Sequence, residues 1–166
     1  MVGVDARYAI KTVHVSDRYG IAGLGCICGE GGIQDMIDIE ADVFAAVKAG
    51  LPTGTDCREA YPNTLKKLPL VTVSEIENVT SDRFEDSSGI ENASRLTYEI
   101  NVFTNLEGGK KKQAKTLLHA AHAVMDSLGF ERVYCQPTPN LADATVFRMT
   151  ARYRAIVDRN KIIYRR

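Results

Sequence analysis

A chain of 166 residues with 45% hydrophobic and 25% charged residues can bury one continuous core, which excludes wholesale disorder and argues for a single domain-sized unit. Lys plus Arg and Asp plus Glu each number 21, so the net charge is zero, and the basic excess of a protein that holds nucleic acid through its backbone is missing. No apolar run approaches the roughly 18 residues of a membrane span, and no basic leader precedes an apolar stretch at the amino terminus, so neither a membrane anchor nor secretion is signalled.

Residues 1–35 stand apart from the rest. Tyr8 to Val15 has the makings of a short strand, and behind it six of the thirteen residues from Gly20 to Gly32 are glycine. That density costs too much backbone entropy for a helix or a central strand, so the segment reads as an arm or loop. From Ile33 to Ala49 the period is helical: Met36, Ile39, Val43, Phe44 and Val47 share a face, and Asp35, Asp38, Glu40 and Asp42 crowd the early turns, where carboxylates favour the positive end of the helix dipole. Gly50, Pro52 and Gly54 end it.

Residues 68–74 predict a strand, with Pro69 at its start or marking an edge. The polar, acidic run 80–92, which contains Asp86, predicts an exposed loop. A second strand follows at 95–104, with Leu96, Tyr98, Ile100 and Val102 on one face and Thr97, Glu99 and Asn101 on the other. A second helix is predicted from Ala114, Leu117, Leu118, Ala121, Met125 and Leu128, capped by Gly129. Lys110, Lys111 and Lys112 lie at its start, the unfavourable end for the dipole. Strands are predicted at 130–136 and 144–157, with a turn at 137–140 between them. In the latter strand Phe147, Met149, Ala151, Tyr153 and Ala155 alternate with Arg148, Thr150, Arg152 and Arg154. A turn at 158–161 and a short terminal strand, Ile162 to Tyr164, close a hairpin. The order α, β, β, α, β, β, β predicts an α+β fold: an antiparallel or mixed β-sheet with two α-helices packed on one face.

Few residues suggest chemistry. His119 and His122 are a helical turn apart, but no third ligand follows at zinc spacing, and His14 is isolated. The cysteines Cys26, Cys28, Cys57 and Cys135 match neither a zinc ribbon nor a redox pair; they read as reduced thiols of a protein made in a cytoplasm, with Cys135 a small buried thiol inside a strand. The glycine tract lacks the Gly-Lys-Ser/Thr of a phosphate loop and the last glycine of the dinucleotide fingerprint. Glu75 and Glu77 sit two apart, as if on one strand face. No catalytic, metal or cofactor site is expected, and the chain does not read as an enzyme. The arginine face carries more information. Guanidinium groups on one side of a strand require water, carboxylates or phosphate, and Glu99, Glu75 and Glu77 are the candidate carboxylates within the subunit or across an interface. Direct DNA contact is the competing reading, disfavoured by the zero net charge.

From Met36 onward the chain resembles the tail terminator, or tail completion, proteins of long-tailed bacteriophages. The pieces that carry the resemblance occur in the family's order: Met36-Ile-Asp-Ile-Glu-Ala-Asp-Val-Phe44, Leu68-Pro-Leu-Val-Thr-Val73, Tyr98-Glu-Ile-Asn-Val-Phe-Thr-Asn105, Gly109-Lys-Lys-Lys112, Leu128-Gly-Phe130, Pro137-Thr-Pro-Asn-Leu141, Asp143-Ala-Thr-Val-Phe-Arg-Met-Thr-Ala-Arg-Tyr153 and Ile162-Ile-Tyr-Arg-Arg166. The resemblance implies a virion protein without catalytic residues, assembled in the host bacterial cytoplasm. It forms a ring, usually of six subunits, that caps the tail tube and meets the head connector or stopper, while DNA passes through without sequence-specific binding. It also implies that the 80–92 and 105–113 loops contact neighbours, tube or connector, which makes Asp86, Lys110, Lys111 and Lys112 contact candidates beside Glu99, Arg148, Arg152 and Arg154. The family begins at about Met36, so residues 1–35 are either an arm or the product of an upstream start, and 36–166 is the family-like domain. The alternatives are a head-completion or stopper protein and a small DNA-binding α+β module.

Overall fold

A computed structural model describes residues 36–60, 65, 67–80, 92–140 and 143–164. The expected arm at 1–35 with its cysteines and His14, the division at Met36, and the 81–91 loop with Asp86 lie outside the described residues.

The first helix, α1 (Glu40–Gly50), begins later than its period predicts. Met36 is 62% exposed, while Ile37 and Ile39 are buried, so these two isoleucines dock ahead of the helix and outside it. Asp38 explains the late start: its Oδ1 accepts the Glu40 N–H at 2.9 Å, meeting a donor that a first helical turn leaves free. The helix ends at Gly50. A Cβ there would collide with the Val124 side chain of the second helix, so glycine permits the close approach of the two helices.

The strands are β1 (Asp56–Arg58), β2 (Leu70–Thr80), β3 (Ala93–Thr104), β4 (Glu131–Thr138), β5 (Phe147–Asp158) and β6 (Ile163–Tyr164). They form one mixed sheet in the order β1-β2-β3-β5-β4, with β6 pairing the end of β5. β1 runs parallel to β2; every other pair is antiparallel. The second helix, α2 (Lys110–Ser127), ends as its sequence predicts: Gly129 sits at φ +95°, its N–H donates to Asp126 O at 3.0 Å and Phe130 N–H to Met125 O at 2.9 Å. These two bonds form a Schellman motif, which satisfies the last carbonyls of the helix.

Both helices cover one face of the sheet, so the architecture is α+β, as predicted. Val43 and Val47 of α1 and Leu117, Leu118, Ala121 and Met125 of α2 share a core with Val71, Val73, Leu96, Tyr98, Ile100, Ala151 and Tyr153. Phe130 meets Tyr98 edge-on, with ring centroids 5.4 Å apart. On the opposite face a second cluster joins Leu70, Phe103 and Val146 to Leu65 and Leu68, which come from the connection between β1 and β2.

Two predicted strands run past their expected ends. β2 continues to Thr80, past the predicted end at Ser74, because a bulge at Ile76 breaks the alternation that marks a strand. β4 continues through Pro137 and Thr138, residues predicted as a turn; an outermost strand tolerates a residue without an N–H. β1 has no signal in the sequence at all.

Candidate functional site: the polar face and the open edges

The face of the sheet turned away from the helices gathers Glu99, Arg148, Arg152 and Arg154 of the predicted contact residues. Alternation along β3 and β5 places Glu99 and Asn101 opposite Arg152 and Thr150, with Arg148 opposite Phe103 and Arg154 opposite Thr97. Asn101 is the centre. Its Oδ1 accepts from Arg148 Nε at 3.1 Å, from Arg148 Nη2 at 2.9 Å and from Thr150 Oγ1 at 2.7 Å, while its Nδ2 donates to Glu99 Oε1 at 3.1 Å. Glu99 Oε2 accepts from Arg152 Nε at 2.8 Å, and Glu99 Oε1 lies 3.8 Å from Arg148 Nη2. Thr138 Oγ1, from β4, extends the chain to Thr150 Oγ1 at 2.9 Å. Asn101, Thr97 and Thr150 are buried although no helix among the described residues lies above them, because their neighbours on this face cover them.

The guanidinium groups also lie over rings: Arg148 is 5.5 Å from the Phe103 centroid and Arg152 5.4 Å from that of Tyr134. Two of the three predicted arginines are thus hydrogen-bonded within the subunit, Arg148 to the Asn101 amide and Arg152 to Glu99, whose one negative charge is shared between them. Arg154 is exposed and has no ion pair among the described residues. Sequence reasoning placed the arginines and Glu99 on this face but missed Asn101 and Thr150 as the acceptors and relays between them. The signal was present in the alternation of both strands; the register that makes the two rows meet was not.

Glu75 and Glu77 do not share a face, which corrects the expectation from their spacing. The ladder between β2 and β3 shifts between them, so Glu75 pairs with Tyr98 on the helix side and Glu77 with Thr97 on the polar side. Tyr98 O–H donates to Glu75 Oε2 at 2.9 Å, and Glu75 N–H reaches Glu40 Oε1 at 3.5 Å. Burial raises the Glu75 carboxyl above its ordinary pKa, against the lowering effect of hydrogen bonds from Tyr98 and Asn78. Glu77 Oε2 accepts from Thr97 Oγ1 at 2.7 Å, and its Oε1 lies 3.7 Å from Arg95.

Lys110, Lys111 and Lys112 fall in the first turn of α2, so the predicted 105–113 loop is helical from Lys110 onward. That turn contains no acidic residue. Lys110 Nζ donates to Thr145 O at 3.1 Å, and Lys111 and Lys112 are exposed. Lysines at a helix N-terminus cost a few tenths of a kcal/mol against the dipole. His119 is exposed and His122 stacks on Tyr153 with centroids 5.8 Å apart. Among the described residues no group of three or more His, Cys, Asp and Glu is placed to hold a metal ion. Cys135 is exposed on β4, contrary to the buried thiol expected there, because β4 is the last strand and nothing packs over it among the described residues; Cys57 is half-buried and burial raises its thiol to about 11. No helix among the described residues is long and apolar enough to cross a membrane.

The sheet has two unlike edges. β4 carries no strand on its outer side among the described residues. At the other edge β1 covers only Leu70, Val71 and Thr72 of β2, so residues 73–80 have no strand on their outer side among the described residues, although Ser74 Oγ donates to Glu59 O at 2.7 Å and Asn78 Nδ2 to Ile37 O at 3.0 Å. An exposed edge is a template for pairing with another chain.

No protein-family model matches the chain, and no curated protein matches it. Among solved structures, a chain of the virion of a native gene transfer agent particle is similar to it at a TM-score of 0.45 and 19% identity, covering 75% of this chain and 94% of that one. A likeness of that strength assigns neither a family nor a role.

Proposed function

We propose that this chain is a structural virion subunit that closes into a ring at the head-proximal end of a phage-type tail tube, ends tube polymerisation and provides the joint to the head connector. The observation that carries the reading is the pair of unlike edges on one sheet, β4 and residues 73–80 of β2, neither of which has a strand on its outer side among the described residues. An association of unlike surfaces is heterologous, and it produces a closed ring when its rotation closes. The ordered resemblance from Met36 to the carboxyl end supports the same role. The arginine face supports it over DNA binding, since Glu99 and Asn101 already hold Arg148 and Arg152 and the chain as a whole carries no basic excess. The reading involves no catalytic step, cofactor or metal. The ring would be built from copies of this chain, with the tube protein and the connector as further partners, and DNA would pass through it without sequence-specific contacts.

Electron microscopy of particles made without this protein tests the proposal. The expected result is tails of uncontrolled length that fail to join heads, together with rings in negative stain of the purified protein. Normal tails joined to heads in its absence would overturn the role.

A further inference from the structure

The end of the helix layer where α2 begins carries charge that the fold leaves unpaired. Lys110, Lys111, Lys112 and Lys115 crowd that start, the first turn holds no acidic residue, and the N-cap, Gly109, makes no side-chain cap. Lys111 and Lys115 lie one helical turn apart, so their charges repel, and the lysines of the first turn oppose the helix dipole. Lys110 Nζ donates to Thr145 O, but Lys111, Lys112 and Lys115 are exposed and have no ion pair among the described residues. Of the carboxylates at this end, Asp143 accepts from the Thr145 N–H at 2.8 Å and from Thr145 Oγ1 at 2.6 Å. Glu107 has no ion pair among the described residues.

These lysines border an apolar groove of about 500 Å³. Pro52, Pro69, Leu106 and Leu117 line it, and Leu106 is 51% exposed. Backbone bonds fix its walls: Thr55 N–H donates to Pro52 O at 3.2 Å, Asp56 N–H to Pro69 O at 3.0 Å and Gly109 N–H to Leu106 O at 3.1 Å. A preformed groove costs little ordering when it is filled. Gln113 lines it too, half-buried, and its Oε1 has no hydrogen-bond partner among the described residues. Lys112 and Thr116 form the ridge to a second, wider groove lined by Lys111, Lys115 and His119. Among the described residues, no carboxylate, arginine, phenylalanine or tyrosine lines either groove.

We propose that this end of the helix layer docks a segment of a partner protein that carries carboxylates on both sides of one apolar side chain. The apolar side chain enters the groove beside Leu106, and the carboxylates meet Lys111, Lys112 and Lys115. Carboxylates placed there offset the lysine repulsion and complement the helix dipole. Two features favour such a segment over nucleic acid. A phosphate backbone brings nothing apolar to Pro52, Pro69 and Leu106, and the grooves present no arginine, phenylalanine or tyrosine on which a base would stack. The site goes beyond the ring reading and does not rest on it: a ring can close with the grooves empty, and a chain that forms no ring can still bind here.

Titration of the isotopically labelled full chain with a blocked Asp-Glu-Leu-Glu-Asp peptide, followed by NMR at low salt, tests the site. Amide shifts are expected at Pro52–Thr55, Leu106 and Lys110–His119. Serine in place of the peptide leucine, or Leu106→Ser in the chain, is expected to weaken binding about tenfold. Lys112→Glu is expected to weaken it by a similar factor, and the difference is expected to shrink in high salt. A carboxylate favours the start of a helix, so this variant is expected to melt no lower than wild type, which separates lost binding from lost fold. A peptide that shifts nothing at millimolar concentration, or an affinity indifferent to both leucines, would overturn the site. So would a short DNA duplex that binds the same residues more tightly than the peptide does.

Discussion

The two faces of the sheet are both substantially buried, but by different means. On the helix side Tyr98, Ile100, Ala151 and Tyr153 are covered by α1 and α2, and the burial is apolar, non-directional and proportional to area. On the polar side Asn101, Thr97 and Thr150 are buried by one another and by arginine stems, and each oxygen and nitrogen of Asn101 has its partner. The first face tolerates changes of shape better than loss of volume. The second tolerates loss of charge better than loss of a shared acceptor, because one atom, Asn101 Oδ1, serves two residues.

The largest effect belongs to the apolar side. Phe130→Ala removes a fully buried ring from beneath α2 and is expected to cost about 3–5 kcal/mol in chemical denaturation. Asn101→Ala leaves the Arg148 and Thr150 donors without their acceptor in a site that water enters poorly, and is expected to cost about 1–3 kcal/mol. A loss below that of a surface substitution would show that the network contributes nothing and would erase the contrast between the faces.

Glu75→Gln sharpens the comparison at a sheet carboxylate that faces the helix side. Glutamine keeps the acceptor for Tyr98 O–H and carries no charge. Because burial raises the folded-state pKa of Glu75, its contribution to stability is fully present below the ordinary glutamate range and is lost as pH rises through the raised value. The Glu40 and Asp38 carboxylates nearby act in the same direction, while Tyr98 and Asn78 oppose it. The variant is expected to match wild type at low pH and to melt higher than wild type at neutral pH. Melts that diverge in the opposite sense would reverse the assignment of burial as the stronger influence. The smallest change is Arg152→Ala. Its side chain is 48% exposed, so loss of the Glu99 pair is expected to cost at most about 1 kcal/mol and to shrink further in high salt.

Much of this architecture was legible in the residues themselves. The period-two alternation of β3 and β5 assigns nearly every side chain to its correct face, since the pleat leaves no other choice. The end of α2 is written in Gly129, the residue that adopts a positive φ without strain. The start of α1 was not legible in the hydrophobic period, because Asp38 stops the helix through a local hydrogen bond that periodicity does not register.

What the sequence determined by itself is therefore the class of fold, the two-faced character of the sheet and the set of charged residues on its polar side, all consequences of side-chain spacing along single strands and helices. Only the tertiary structure decided how those rows meet. The register of β3 against β5 makes Asn101 a shared acceptor, the bulge at Ile76 sends Glu75 and Glu77 to opposite faces, and the pairing with β2 turns three residues at Asp56–Arg58 into a strand. Each depends on contacts between segments distant in the chain, and the spacing of residues along one segment carries no record of its neighbour's register.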